Sequence, residues 1–276
     1  MKTYQMADPV RYARMTTEEL RETFLAESMF QPGKISLAYI DLDRTVIGGA
    51  VPTDSPLKLV ADDALRSAYF TERRELGVLN IGGNGTIEVG GKRFVMEKLD
   101  CLYIGRGNPE ITFSSTDAAM PAEFYLLSYP AHTAYPTTLA KKSQAEAVPL
   151  GSVATVNKRT IYKYIHPAGI KSCQLVMGFT QLAVGSAWNT MPAHTHMRRS
   201  EVYLYFDLAA EARVFHLMGP GHETRHLVVA DKQIAISPSW SIHSGVGTTN
   251  YSFCWGMGGE NQTFDDMDGI AIAELK

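Results

Sequence analysis

Helical periodicity is sparse along this chain. Thr16-Thr-Glu-Glu19-Leu20 has the form of a capping box, a hydroxyl at the N-cap and a carboxylate three residues on, with Leu20, Phe24 and Leu25 as an apolar stripe running towards Pro32. Beyond it the pattern shortens to β-structure. Runs such as Lys34–Ile40 and Cys173–Phe179, apolar and bounded by Gly, Pro or Asp, predict sandwich or barrel strands. Leu79–Lys92 reads as a strand, a Gly-rich turn, a second strand and a hairpin at Gly90-Gly91. Its glycines have neither the spacing nor the following helix of a phosphate-binding loop.

A polar, weakly periodic stretch from Pro136 to Lys158 separates two β-rich halves of comparable size. The expected division is an N-terminal domain over 1–140, a linker over 141–157 and a C-terminal domain over 158–276. Residues 99–113 parallel the segment from Gln233 through Pro238 to His243, with Gly105 in the place of Pro238 and Glu110 in the place of His243. No His-x-His lies near Gly82–Glu88, so the first half is expected to be a metal-free copy of the second. The fold class is mainly β: two β-barrel or jelly-roll domains with a few short helices.

Composition narrows the function more than the fold. The 276 residues are 45% hydrophobic and 20% charged, enough for a substantial core without covalent staples. A formal net charge of −3 argues against binding nucleic acid by phosphate neutralisation. Met1–Pro9 lacks the apolar core of a signal peptide and no apolar run is long enough to span a bilayer, so no membrane partner and a cytoplasmic location are expected. Cys101, Cys173 and Cys254, odd in number and widely spaced, fit reduced thiols among apolar neighbours.

The chemistry concentrates between residues 194 and 243. His194-Thr-His196 places two imidazoles on one face of an extended segment. Glu201 adds a carboxylate and His243, in Pro238-Ser-Trp-Ser-Ile-His243, a third imidazole. Glu201 has the wrong parity for that face in an unbroken strand, so Met197–Ser200 must form a turn or bulge that re-aims it. Three imidazoles and one carboxylate leave a coordination position open, the arrangement of a catalytic ion. Zinc (Zn2+), one per chain, is the first choice, and manganese, iron or nickel accept similar ligands. His132, His166, His216, His222 and His226 have no partner at ligand spacing, and Asp265-Asp-Met-Asp268 reads as a solvated or capping segment rather than a calcium loop.

The split signature, His-x-His-x4-Glu and then Pro-x4-His, resembles the two halves of the cupin metal motif. Gly185 stands farther ahead of His194 than in the usual pattern, and Trp240 occupies a place where cupins normally carry glycine. With Trp188–Pro192, Trp255–Gln262, Glu72–Gly77 and Phe264–Asp268, these features are similar to the 5-keto-4-deoxyuronate isomerases, nearly end to end. The resemblance implies a bicupin fold, a homohexamer, and zinc held by His194, His196, Glu201 and His243. It further implies conversion of 5-keto-4-deoxyuronate to 3-deoxy-D-glycero-2,5-hexodiulosonate in pectin breakdown.

Such an aldose-ketose conversion moves a proton between adjacent carbons through an enediol, with a Lewis acid to stabilise the developing oxyanion. The proton-shuttling residue is not identified by the sequence. For the substrate's carboxylate, Arg198, Arg199 and Lys163 are the candidate cations, each equally readable as a loop or interface charge. Trp240, Trp188, Tyr251 and Trp255 are candidates to wall the pocket or to pack in the core. Two rival functions use the same scaffold: an iron-dependent cupin oxygenase and a non-catalytic uronate-binding cupin.

Overall fold

The computed structural model describes residues 1–263 and 265–276; Phe264, the first residue of the Phe264–Asp268 string, lies outside them. The chain forms two compact units. The first is built from Met1–Thr3, Met29–Ala145 and Tyr164–Val176, the second from Tyr4–Ser28, Glu146–Lys163 and Met177–Lys276. These are not the contiguous halves expected from the sequence. The segment read as a linker carries a strand, Glu146–Leu150, paired antiparallel with Arg159–Ile165. The N-terminal helices are followed by a short strand, Leu25–Ala26, that pairs with Ile234–Ser237, which ties them to the second unit.

Both units repeat one strand plan. In the first, a large sheet runs in the order Lys34–Ile40, Thr45–Val51, Phe124–Pro130, Arg74–Asn80, Cys101–Ile104, beside a four-stranded sheet Leu57–Lys58, Ile111–Ser115, Gly85–Val89, Lys92–Met96. In the second, the large sheet runs Arg159–Ile165, Val176–Leu182, Ser252–Gly259, Arg199–Phe206, Ile234–Ser237, and the small one Trp188–Asn189, Ile242–Gly247, Val214–Gly219, Arg225–Val229. The fold is therefore a bicupin. In the first unit Leu76, Val78, Ile104 and Leu126 of the large sheet share one core with Ile87, Ile111 and Phe113 of the small one.

Local chemistry explains where elements start and stop. The Thr17–Phe24 helix has the full capping box, Thr16 and Glu19 each bonding the other's backbone, and it ends at Leu25 because the chain turns extended there (φ −127, ψ 122). Gly90 and Gly91 both sit at positive φ (+55 and +81), as a two-residue hairpin of right-handed twist requires, joining Gly85–Val89 to Lys92–Met96. The run Cys173–Phe179 differs from expectation. Its strand is Val176–Leu182, because the amides of Cys173, Gln174 and Leu175 donate to the Glu75 carboxylate instead of a sheet partner. Among the described residues, no helix is long and apolar enough to cross a membrane.

Candidate metal centre

Glu201 is the third residue of Arg199–Phe206, a strand bonded on both sides, opposite Ser237 on one neighbour and Met257 on the other. His243 is the second residue of Ile242–Gly247, entered through a turn in which the Ser241 amide donates to the Pro238 carbonyl (2.9 Å). His194 lies on a two-residue strand, His194–Thr195, paired with Asp268–Gly269. Between His196 and the Glu201 strand the chain turns at Met197-Arg198, closed by the Arg199 amide donating to the His196 carbonyl (3.1 Å). That turn corrects the parity and brings the carboxylate to the imidazoles.

The ligating atoms of these four residues all lie within 4.8 Å of one another, the one such group among the described residues. Glu201 Oε2 is 2.9 Å from His243 Nε2 and 3.0 Å from His196 Nε2, and the His194 and His243 Nε2 atoms are 3.1 Å apart. Donors about 2.0–2.1 Å from a tetrahedral ion are separated by roughly 3.3 Å, so the spacing fits one shared cation. Tautomer chemistry points the same way. His196 Nδ1 faces the Arg199 carbonyl at 2.9 Å, which can only accept, so Nδ1 carries the hydrogen and neutral His196 presents a bare Nε2 to Glu201. Two acceptors at 3.0 Å need a positive charge between them, a proton or a metal ion.

The electrostatics are those of a ligand set. Burial, followed by the neighbouring His243, drives His194 down to about 3, so it is neutral and free to coordinate. Burial works against charge on His196 as well, but the bond to Glu201, the charge of that carboxylate and the Arg199 carbonyl together outweigh it and raise the imidazole. Glu201 is pushed up by burial, yet His243 and the bonds from His196 and His243 hold its carboxyl well below the usual carboxylate range. At the corresponding register of the first unit Leu76 stands opposite Ile104 where Glu201 stands opposite Ser237, and both are core residues.

A cavity of about 270 Å³ opens onto His194, His196 and Glu201, near the lower end of small-molecule sites (roughly 300–1,000 Å³). Ile161, Phe253, Trp255 and Met257 give it apolar walls, and Leu150 and Met267, both exposed, are also among its lining residues. Tyr203 sits in the wall, its hydroxyl 3.1 Å from Thr190 Oγ1; burial, then Glu201, keeps it protonated.

Of the sequence candidates for substrate contact, Arg199 lines this cavity and is buried (1% exposed). Its guanidinium is engaged, Nη2 to Asp266 Oδ1 at 2.6 Å and Nη1 to Asn261 Oδ1 at 2.5 Å. Arg198 pairs with Asp266 and Asp268 (both 3.1 Å) and is not among the lining residues. Asp266 and Asp268 are thus ion-pair partners, not merely solvated. Lys163 bonds Glu146 at 3.2 Å, away from the lining. Trp240 packs edge-on against Tyr12 and Phe24 of the N-terminal helices (centroids 5.2 and 6.3 Å) and leaves the cavity wall to Trp255. Sequence reading missed Arg159, Tyr203 and Thr190. Arg159 and Tyr203 share a signal: each is two or four residues from a candidate, Lys163 or Glu201, on a strand where alternate residues share a face.

The model of the KduI/IolB family matches residues 24–272. The 4-deoxy-L-threo-5-hexosulose-uronate ketol-isomerase of Shouchella clausii is 56% identical over 268 residues, 97% of each chain. Among solved structures, an IolB-like protein from Salmonella typhimurium superposes with a TM-score of 0.73 over 90% of this chain and 96% of that one, at 12% identity. The oxalate decarboxylase of Bacillus subtilis, studied for its Mn(II) centres, superposes at 0.55 over 82% and 71%, at 10% identity.

Proposed function

Since this chain belongs to the KduI/IolB family and is an aldose-ketose isomerase, we propose that it converts 4-deoxy-L-threo-5-hexosulose uronate (5-keto-4-deoxyuronate) to 3-deoxy-D-glycero-2,5-hexodiulosonate, a cytoplasmic step of pectin and polyuronate breakdown. The reading rests on a single juxtaposition, four convergent ligand atoms of which those of His194, His196 and Glu201 belong to residues lining a cavity of about 270 Å³. His194, His196, Glu201 and His243 are the residues that would hold a divalent ion, zinc by preference. When bound, such an ion supplies Lewis-acid stabilisation of the negative charge that develops on the substrate's oxygens.

The remaining work falls to the chain. The apolar wall of Phe253, Trp255 and Met257 excludes water from an enediol that would otherwise exchange and decompose. The Arg199 carbonyl fixes the His196 ring through Nδ1, and the Met197-Arg198 turn fixes the Glu201 carboxylate beside it. Tyr203, protonated by burial and bonded to Thr190, offers a neutral donor in the same wall.

Purified protein incubated anaerobically with the keto-uronate and followed by NMR is expected to yield the diulosonate, and elemental analysis to find one ion per chain. A requirement for dioxygen would replace this reading by an oxygenase, and binding without turnover by a non-catalytic uronate receptor. The family resemblance extends to assembly. Sedimentation is expected to show a homohexamer, about six times the 30.4 kDa chain; a monomer at micromolar concentration would refute the hexamer and leave the metal centre intact.

A further inference from the structure

The cations around the cavity differ in one respect, whether an acid already neutralises them. Arg198 is paired with Asp266 and Asp268, Arg199 with Asp266, and Lys163 with Glu146. Arg159 is the exception. It lines the cavity, and its one hydrogen bond runs from Nη1 to the Asn157 carbonyl at 3.0 Å. No carboxylate pairs with it among the described residues, and the titratable groups that act on it, Tyr203 and Tyr251, are held neutral by burial. Burial accordingly weighs against its charge with nothing acidic to offset it.

Local structure explains the placement. Arg159 opens the Arg159–Ile165 strand in register with Leu150, and alternation puts Arg159, Ile161 and Lys163 on one face. Arg159 and Ile161 reach the cavity, while Lys163, two residues farther along, is tied to Glu146. The bond to Asn157 occupies Nη1 and so orients the guanidinium, leaving Nε and Nη2 without a protein partner among the described residues. Those two N–H groups form one planar edge, the edge that grips both oxygens of a carboxylate. A half-buried cation without a counter-charge is a cost to the folded chain, and an anionic ligand is what relieves it.

We propose that Arg159 anchors the carboxylate of the substrate and makes this cavity selective for sugar acids over neutral sugars. The inference rests on the isomerase reading for the identity of the substrate, but not for the existence of the anion subsite. The carboxylate of a hexuronate lies at the opposite end of the carbon chain from the aldehyde that reacts, so its anchor binds ground and transition states alike. Loss of Arg159 therefore acts on KM, with kcat nearly preserved.

The test compares wild type, Arg159→Gln and Arg159→Lys on the keto-uronate and on its neutral counterpart, in which an alcohol replaces the acid. Kinetics and equilibrium binding, the latter read from the fluorescence of Trp255 in the cavity wall, are measured for both compounds. Arg159→Gln is expected to raise KM and Kd for the acid by about 10- to 100-fold while leaving the neutral compound within about threefold, and Arg159→Lys to fall between. Because a misfolded variant loses both compounds together, the acid-specific loss distinguishes anchoring from damage. Equal effects on both compounds, no effect on either, or an acid-specific loss in Lys163→Gln with none in Arg159→Gln would overturn the proposal. A wild type that prefers the acid in binding yet turns over neither compound removes the isomerase reading, and the Arg159 variants still decide the anchor by Kd.

Discussion

His243→Ala is expected to lose its metal ion and its turnover together while keeping its β-sheet circular dichroism. His243 Nε2 lies 2.9 Å from Glu201 Oε2 and 3.1 Å from His194 Nε2, so it joins the carboxylate to the more exposed imidazole. Its removal leaves three of the four clustered side chains and takes away the neighbour that, after burial, acts most strongly on Glu201. Lewis-acid stabilisation supplies several kcal/mol of transition-state energy, and each 1.36 kcal/mol is a factor of ten, so kcat/KM falls by on the order of 10³-fold or more. The fold survives because the surrounding strands are already closed by backbone pairing: Ile242–Gly247 matches Val214–Gly219 along its whole length, without help from the ion. Elemental analysis, steady-state kinetics and far-UV circular dichroism on one preparation check the three parts. Retained metal would remove His243 from the ligand set, and global unfolding would make the ion structural.

The clustering of these four residues was legible because their signal is local in kind and spacing: two imidazoles two positions apart, a carboxylate five residues on, a histidine behind a proline turn. Even the parity mismatch of Glu201 was readable, and the Met197-Arg198 turn is where it is resolved. Cations were not readable in that way. Arg198, Arg199 and Lys163 stood out by proximity in sequence, whereas what separates them from Arg159 is the position of Asp266, Asp268 and Glu146, set by chain segments far away or on a neighbouring strand. Trp240 illustrates the same limit, since its partners Tyr12 and Phe24 are more than two hundred residues earlier. The strand plan was legible from alternation and turn residues, as at Lys34–Ile40 and Gly90-Gly91. The exchange of segments between units was not. Pairing of Leu25–Ala26 with Ile234–Ser237 is a long-range choice that leaves no mark on either segment's composition.

Glu75 shows the same dependence on distant partners, and its removal is expected to produce the largest loss of stability in the first unit. The side chain is fully buried. Its two oxygens accept four hydrogen bonds: from the amides of Gln174 (2.8 Å) and Leu175 (2.9 Å) on one, and from the amide of Cys173 (2.7 Å) and the Tyr103 hydroxyl (2.8 Å) on the other. Burial, with Glu75 beside it, keeps Tyr103 protonated and therefore a donor. Glu75→Ala strands a buried amide, two part-buried amides and a buried phenol without acceptors; each orphaned buried group costs about 1–3 kcal/mol and water relieves the part-buried ones, so the total loss is roughly 3–5 kcal/mol after local relaxation. Glu75→Gln keeps one acceptor oxygen but sets an NH2 against the Cys173 amide, and costs about 1–3 kcal/mol. Because the four residues of the candidate metal centre all belong to the other unit, metal content is expected to be the same in both variants as in the wild type. Denaturant unfolding gives the magnitudes, and hydrogen exchange assigns them, with protection lost first at Cys173–Leu175. Unchanged exchange at those three amides would mean that the carboxylate is not what holds them.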